Sequence, residues 1–263
     1  MTVFEKQPGV PRFECTEFTP KKCEYALLIP IINEGDRIRR ELERACRYGV
    51  PEAADIIICD GGSKDGSTEE NRLRELAVNT LLVKRDEGKQ GAQLRMGIWF
   101  ALERGYRGII TVDGNDKDSI EDVPRFIEKL EEGYDFIQGS RYIAGGRAVN
   151  TPPVRDLAVR LIHAPVISLT AHHHFTDTTN AFRGYSRNYL TNPRVRPLRD
   201  IFMTYELLAY LSVRASQLGM KVCEVPVTRA YPAGKTPTKI SFLKGNSELL
   251  KILFRNARGD YAP

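Results

Sequence analysis

Between Tyr25 and Ile137, short apolar runs alternate with stretches of helical spacing, and the pattern repeats five times with short links. Tyr25–Ile31 and Asp55–Cys59 are continuous hydrophobic runs, as strands buried on both faces are. Asp36–Tyr48 puts Ile38, Leu42 and Ala45 on one helical face and is stopped by Gly49–Pro51. The spacing then predicts a helix from Ser67 to Val78, a strand Thr80–Lys84, a helix Gln90–Glu103 and a strand Gly108–Val112. A helix Asp122–Glu131 and a strand Tyr134–Ile137 complete the series. Such alternation specifies the α/β class, a mostly parallel sheet with helices on both faces. Right-handed crossovers gather the strand-to-helix turns at one edge, where open α/β sheets take their ligands. The turns Ile31–Gly35, Asp60–Ser63 and Asp113–Asp118 are therefore expected side by side.

Beyond Tyr142 the alternation fades. Arg155–Thr170, Thr204–Leu218 and Ile240–Arg255 read as helices, Ala181–Ser186 and Val222–Ala230 as strands. Residues 1–24, with Pro8, Pro11 and Pro20, read as an extended arm, 25–240 as one domain, and 241–263 as an amphipathic helix and tail. A chain of 263 residues is long enough for a full core in a single α/β domain. The net charge of +5 is modest, and no face interleaves aromatic with basic residues, which argues against a nucleic-acid partner. No apolar run is long enough to span a membrane, and the first residues lack a signal-peptide core. Five cysteines without paired spacing predict reduced thiols and a cytoplasmic location.

Thr111–Asp118 carries the clearest chemistry. It delivers Asp113, Asn115, Asp116 and Asp118 directly after an apolar strand. Hard divalent cations bind oxygen, usually through one or two carboxylates plus substrate phosphates, so the segment reads as a metal–diphosphate site. An acidic turn capping the next helix is the structural alternative.

Taken with Pro30-Ile-Ile-Asn33-Glu34, Asp60-Gly-Gly-Ser-Lys-Asp-Gly-Ser67, Gly139-Ser-Arg-Tyr142 and Asp177-Thr-Thr-Asn-Ala-Phe-Arg183, this turn resembles the motif series of inverting family 2 glycosyltransferases. The likeness is greatest to the dolichyl-phosphate mannose synthase-like group. It implies a GT-A (Rossmann-like) fold, a nucleotide-diphospho-sugar donor and Mg²⁺ or Mn²⁺. By the same resemblance Pro30, Asn33, Glu34 and Asp60 meet the base and ribose, and Lys89 and Lys239 the phosphates. Asp113 and Asn115, with Asp116 in support, hold the metal. Here Asn115 replaces the usual second acid, Gly61 replaces an acid after Asp60, and Lys117 follows where a polar residue is usual.

On the acceptor side the resemblance implies that Arg141 and Arg155 grip a polyprenyl phosphate. Planar guanidinium groups suit that task; a surface ion pair is the alternative for Arg141. Asp177 acts as base if the acceptor is a saccharide hydroxyl and as a positioning group if it is a phosphate. Glu206 is the rival carboxylate. The expected protein is thus a glycosyltransferase with peripheral membrane contact. Transfer to a saccharide in glycan assembly and a non-catalytic nucleotide-sugar binder are the alternatives.

Overall fold

A computed structural model describes residues 1–232 and 244–263. The strands are β1 (Thr2–Phe4), β2 (Phe13–Glu17), β3 (Tyr25–Ile31), β4 (Asp55–Asp60), β5 (Val78–Lys84), β6 (Gly108–Thr111), β7 (Phe136–Ser140), β8 (Arg147–Val149), β9 (Arg183–Ser186), β10 (Val222–Pro226) and β11 (Thr228–Ala230). Nine form one sheet in the order β1-β2-β5-β4-β3-β6-β9-β7-β10, and β11 pairs with β8 separately. The parallel centre β5-β4-β3-β6 is the one the apolar runs specify. Strands β3 and β4 are buried along almost their whole length. Alternate residues feed two cores: Leu28, Ile57 and Leu82 on one face, Leu27, Ile29 and Ile58 on the other. Each fully buried side chain of this kind contributes about 1.5–3 kcal/mol.

The mostly parallel sheet expected from the sequence is present, with antiparallel strands added to its parallel centre. Strand β9 runs antiparallel between β6 and β7, with Arg183 opposite both Thr111 and Gln138. Its beginning therefore lies at the carboxyl edge, and residues 177–182 are delivered there from the opposite direction. The expected arm is also folded in part. β2 extends the sheet antiparallel to β5 and β1 pairs antiparallel with β2, and buried Arg95 holds the Gly9 carbonyl at 2.6 Å.

The helix expected from Ser67 is confined to Glu70–Glu75, capped by Glu69. The hydroxyl of Ser67 serves the neighbouring turn instead. The expected helix Arg155–Thr170 is Pro153–Ala158 and Ala164–Ala171, joined by a widened π-helical turn, Val159–His163. Glu206–Gln217 and Lys244–Ala257 complete this helical side. The last helix packs on the domain through buried Ile252 and Leu253, and Asn256 Nδ2 donates to the Ala209 carbonyl at 2.9 Å. Among the described residues no helix is long and apolar enough to cross a membrane.

Candidate active site

Turns 31–35 and 60–67 lie side by side because β3 and β4 are neighbours, and their polar groups knit them together. The Gly61 N–H donates to the Ile31 carbonyl at 2.8 Å. Asn33, in a left-handed backbone (φ 49°), donates its N–H to Ser63 Oγ and accepts from the Lys64 N–H, both at 2.8 Å. Ser67 Oγ accepts from the N–H groups of Glu34 and Gly35 at 3.0 and 2.7 Å. The Asp60 carboxylate is buried and closes its own turn, accepting from the Gly62 and Ser63 N–H groups at 2.8 and 2.9 Å. Glu34 pairs with Arg37 at 2.7 Å. The structure thus places Pro30, Asn33, Glu34 and Asp60 at the expected edge, with much of their polar capacity spent on shaping it.

The third turn lies where β3 and β6 separate the two directions in which the chain builds the sheet, the crevice in which such folds bind ligands. Asp113 is the partly open acid there. Its Oδ1 accepts from Gln90 Nε2 at 2.8 Å, and its Oδ2 faces Arg229 Nη2 at 3.3 Å. Gln90 reaches it because Gly91 lets the helix start abut residues 202–204: a Cβ there would lie 2.6 Å from the Phe202 carbonyl oxygen. Lys89, the expected phosphate ligand, is exposed, and its N–H donates to the Met203 carbonyl at 2.8 Å.

Behind the turn, wholly buried Glu41 accepts the Asp116 N–H at 2.8 Å and holds that residue in a left-handed backbone (φ 57°). Burial pushes the Glu41 carboxyl well above the usual range. The Asp116 carboxylate is drawn to Arg40 and Arg44, at 3.0 and 3.2 Å. Of the three expected metal ligands only Asp113 and Asn115 therefore stay together, and Asp116 belongs to an ion-pair network with the helix Asp36–Arg47. The Asn115 carbonyl oxygen is buried with no hydrogen-bond partner among the described residues. An orphaned oxygen beside a carboxylate fits a hard cation. The competing charge is Arg229, which also pairs with buried Asp118.

Arg141 and Asp177 form a buried bidentate pair: Nε to Oδ2 at 2.6 Å and Nη2 to Oδ1 at 2.9 Å. The ion pair is internal, where the sequence alternative was one on the surface. Arg141 also donates to Thr179 Oγ1 at 3.0 Å. Glu224 on β10, which nothing in the sequence singled out, fixes this strand-entry segment. Its carboxylate accepts from the Thr176 N–H and hydroxyl and from the Asp177 N–H. Burial raises its pKa. The Glu206 carboxylate is engaged by the residue two positions before it, accepting from the Thr204 N–H and hydroxyl at 2.6 and 2.9 Å.

A cavity of about 510 Å³ joins Asp113 to the arginines, and none of its described lining comes from turns 31–35 or 60–67. Its polar end carries Gln90, Asp113, Arg141, Arg155, Arg229 and Tyr231; Val159, Ile162, Ile167, Leu208, Leu250 and Leu253 make apolar walls. Arg155 donates to the Tyr231 hydroxyl at 3.0 Å. Burial raises the Tyr231 phenol, but Arg229 and Arg155 outweigh it and bring its pKa below the ordinary value. Arg229 and Tyr231 escaped the sequence reading, although a charged side chain inside a strand-like run was a signal. His163 lines the apolar wall, and burial lowers its pKa. Lys239 lies outside the described residues.

The acidic turn at the crevice of this α/β sheet thus opens into a cavity lined by arginines. The Glycosyl transferase family 2 model matches residues 26–192, and the chain belongs to that family of glycosyltransferases. It is 28% identical over 207 residues to the undecaprenyl-phosphate mannosyltransferase of Micrococcus luteus, covering 76% of this chain and 81% of that one. It is 25% identical over 208 residues to the polyprenol monophosphomannose synthase of Mycolicibacterium smegmatis, covering 77% and 76%. Glucosyl-3-phosphoglycerate synthase from Mycobacterium tuberculosis, crystallised with Mn²⁺ and UDP-glucose, shares the fold with a TM-score of 0.64 at 16% identity, covering 89% and 79%.

Proposed function

We propose that the protein transfers a sugar, with inversion, from a nucleotide-diphospho-sugar to a polyprenyl phosphate. One observation carries this reading above the others. Among the described residues lining the cavity the only acid is Asp113, in the donor turn, whereas Arg141, Arg155, Arg183 and Arg229 all reach the wall. A hydroxyl acceptor needs a carboxylate to take its proton; an ionised phosphate needs cations and no base. Asp177, with both oxygens turned to Arg141, suits positioning better than proton transfer. The apolar walls suit a hydrocarbon chain behind the phosphate, and the relatives in Micrococcus and Mycolicibacterium are named for such acceptors.

In this scheme a phosphate oxygen held by Arg155 and Arg141 attacks the anomeric carbon. The bond from that carbon to the diphosphate breaks, and its electron pair leaves with the nucleoside diphosphate. Gln90 and the knitted turns keep Asp113 aimed at the departing group, where charge stabilisation is usually the largest catalytic contribution. Mg²⁺ or Mn²⁺ held by Asp113 and Asn115 would neutralise that developing charge.

Membrane contact falls on the helical side. Val154, Leu157, Leu161 and Leu169 project from 153–171 with 67, 58, 65 and 77% exposure, beside the apolar end of the cavity. A peripheral contact there would let a lipid tail pass from bilayer to cavity. The test is a release assay for nucleoside diphosphate with UDP- and GDP-sugars, offering polyprenyl phosphate or saccharides as acceptors. Turnover with the lipid phosphate is expected; turnover with saccharides alone would overturn the reading.

A further inference from the structure

Arg229 lies 3.3 Å from Asp113, the acid of the donor turn that opens to the cavity. Its backbone is stitched to the acidic turn: the Ser119 N–H donates to the Thr228 carbonyl at 2.9 Å and the Ala230 N–H to the Lys117 carbonyl at 2.8 Å. The Thr228 N–H donates to Ser119 Oγ at 2.9 Å. The guanidinium is thus delivered to the turn by strand pairing and does not arrive on a long free side chain. It spans two acids of different character. Asp118 is wholly buried and joined to Nη1; Asp113 is 23% exposed, 3.3 Å from Nη2, and lines the cavity. Asp118 is the anchor, and Asp113 is the partner that a ligand can take over.

We propose that Arg229 is a built-in counter-cation of the acidic turn, which competes with a divalent cation for Asp113 and passes to the donor's diphosphate when both arrive together. The inference rests on the reading of this turn as the donor site. Its physics is charge balance. A divalent ion entering alone must share Asp113 with a guanidinium 3.3 Å away, and Lys117 packs on the same Tyr231 ring as that guanidinium; both cations are buried, where screening is weak. A diphosphate brings several negative oxygens at once and offers the displaced guanidinium a bidentate replacement partner. Cation and diphosphate should therefore bind with mutual reinforcement, and by linkage each tightens the other equally.

Calorimetry on the full chain tests this, using Mn²⁺ alone and then inorganic pyrophosphate in saturating Mn²⁺. Arg229→Gln should bind Mn²⁺ alone about tenfold more tightly than the parent, and the Mn²⁺–pyrophosphate complex about tenfold more weakly. Opposite signs are the signature, because a merely structural arginine would weaken both together. Since Arg229→Gln leaves Asp118 buried without its partner, the double variant Asp118→Asn/Arg229→Gln is measured beside it and should show the same two signs. Binding of Mn²⁺ alone that is unchanged or weaker in a folded variant overturns the proposal. If the parent takes up no Mn²⁺–pyrophosphate at all, the donor-site reading itself fails. If it does and the signs agree, only the role of Arg229 falls.

Discussion

On the donor side, turns 31–35 and 60–67 satisfy their polar groups on one another, because the strands that carry them, β3 and β4, are adjacent and buried from both faces. On the acceptor side, Arg141 meets Asp177 across 36 residues, Arg155 meets Tyr231 across 76, and the walls come from helices far apart in the chain. The first arrangement is held by two neighbouring strands, the second by the meeting of many separate elements. Substitutions should accordingly separate chemistry from stability on the donor side and mix them on the acceptor side.

The sharpest break of that contrast comes at the buried pair. Arg141→Met strands Asp177 without its partner and should cost about 3–5 kcal/mol in urea unfolding as well as turnover. Adding Asp177→Leu should restore much of the stability and none of the activity. Next, Asp113→Asn should lower kcat by about 10²–10³-fold with a nearly unchanged unfolding midpoint, because the acid is partly open and buried Arg229 keeps Asp118 as its partner. A midpoint that falls with activity would show the donor turn to be less self-contained than its hydrogen bonds suggest. Arg155→Ala removes one charge-assisted contact and should raise the acceptor KM roughly tenfold with the donor KM unaltered.

Smaller effects probe the outer wall. Leu157→Glu with Leu161→Glu should abolish sedimentation with anionic vesicles while changing stability by no more than about 0.5 kcal/mol, since both side chains are exposed. The least effect is expected from His163. Burial lowers its pKa from the ordinary 6.5, so its contribution to stability is present above that value and lost as the pH falls through the lowered one. Urea midpoints at pH 7.5 and 5.0 should therefore differ less in His163→Leu than in the parent.

The contrast also explains what could be read from the chain. The runs at Tyr25–Ile31 and Asp55–Cys59 carry their burial in their composition, and the turn after each is forced by the strand that precedes it. Asp113 was legible for that reason. Asp116 was misread because its carboxylate is turned away by a left-handed backbone that Glu41 imposes from another helix. Glu206 reads as a chemical carboxylate in the sequence, but in the fold the neighbouring Thr204 N–H and hydroxyl engage it. Glu224, Arg229 and Tyr231 gain their roles from strand pairings, β10 on β7 and β11 on β8, that no local pattern announces. The early proline-bearing segment read as an arm because two short edge strands of 3 and 5 residues are too brief for periodicity to show.

The widened turn at Val159–His163 has a consequence for anyone altering the length of this chain. A helix advances about 100° per residue, so one residue removed there would swing Ala164–Ala171 by that angle against Pro153–Ala158. Val154 and Leu157 could then no longer point outward while Ile167 points inward. Side chains in this segment can be exchanged one at a time, but its residue count is fixed by phase.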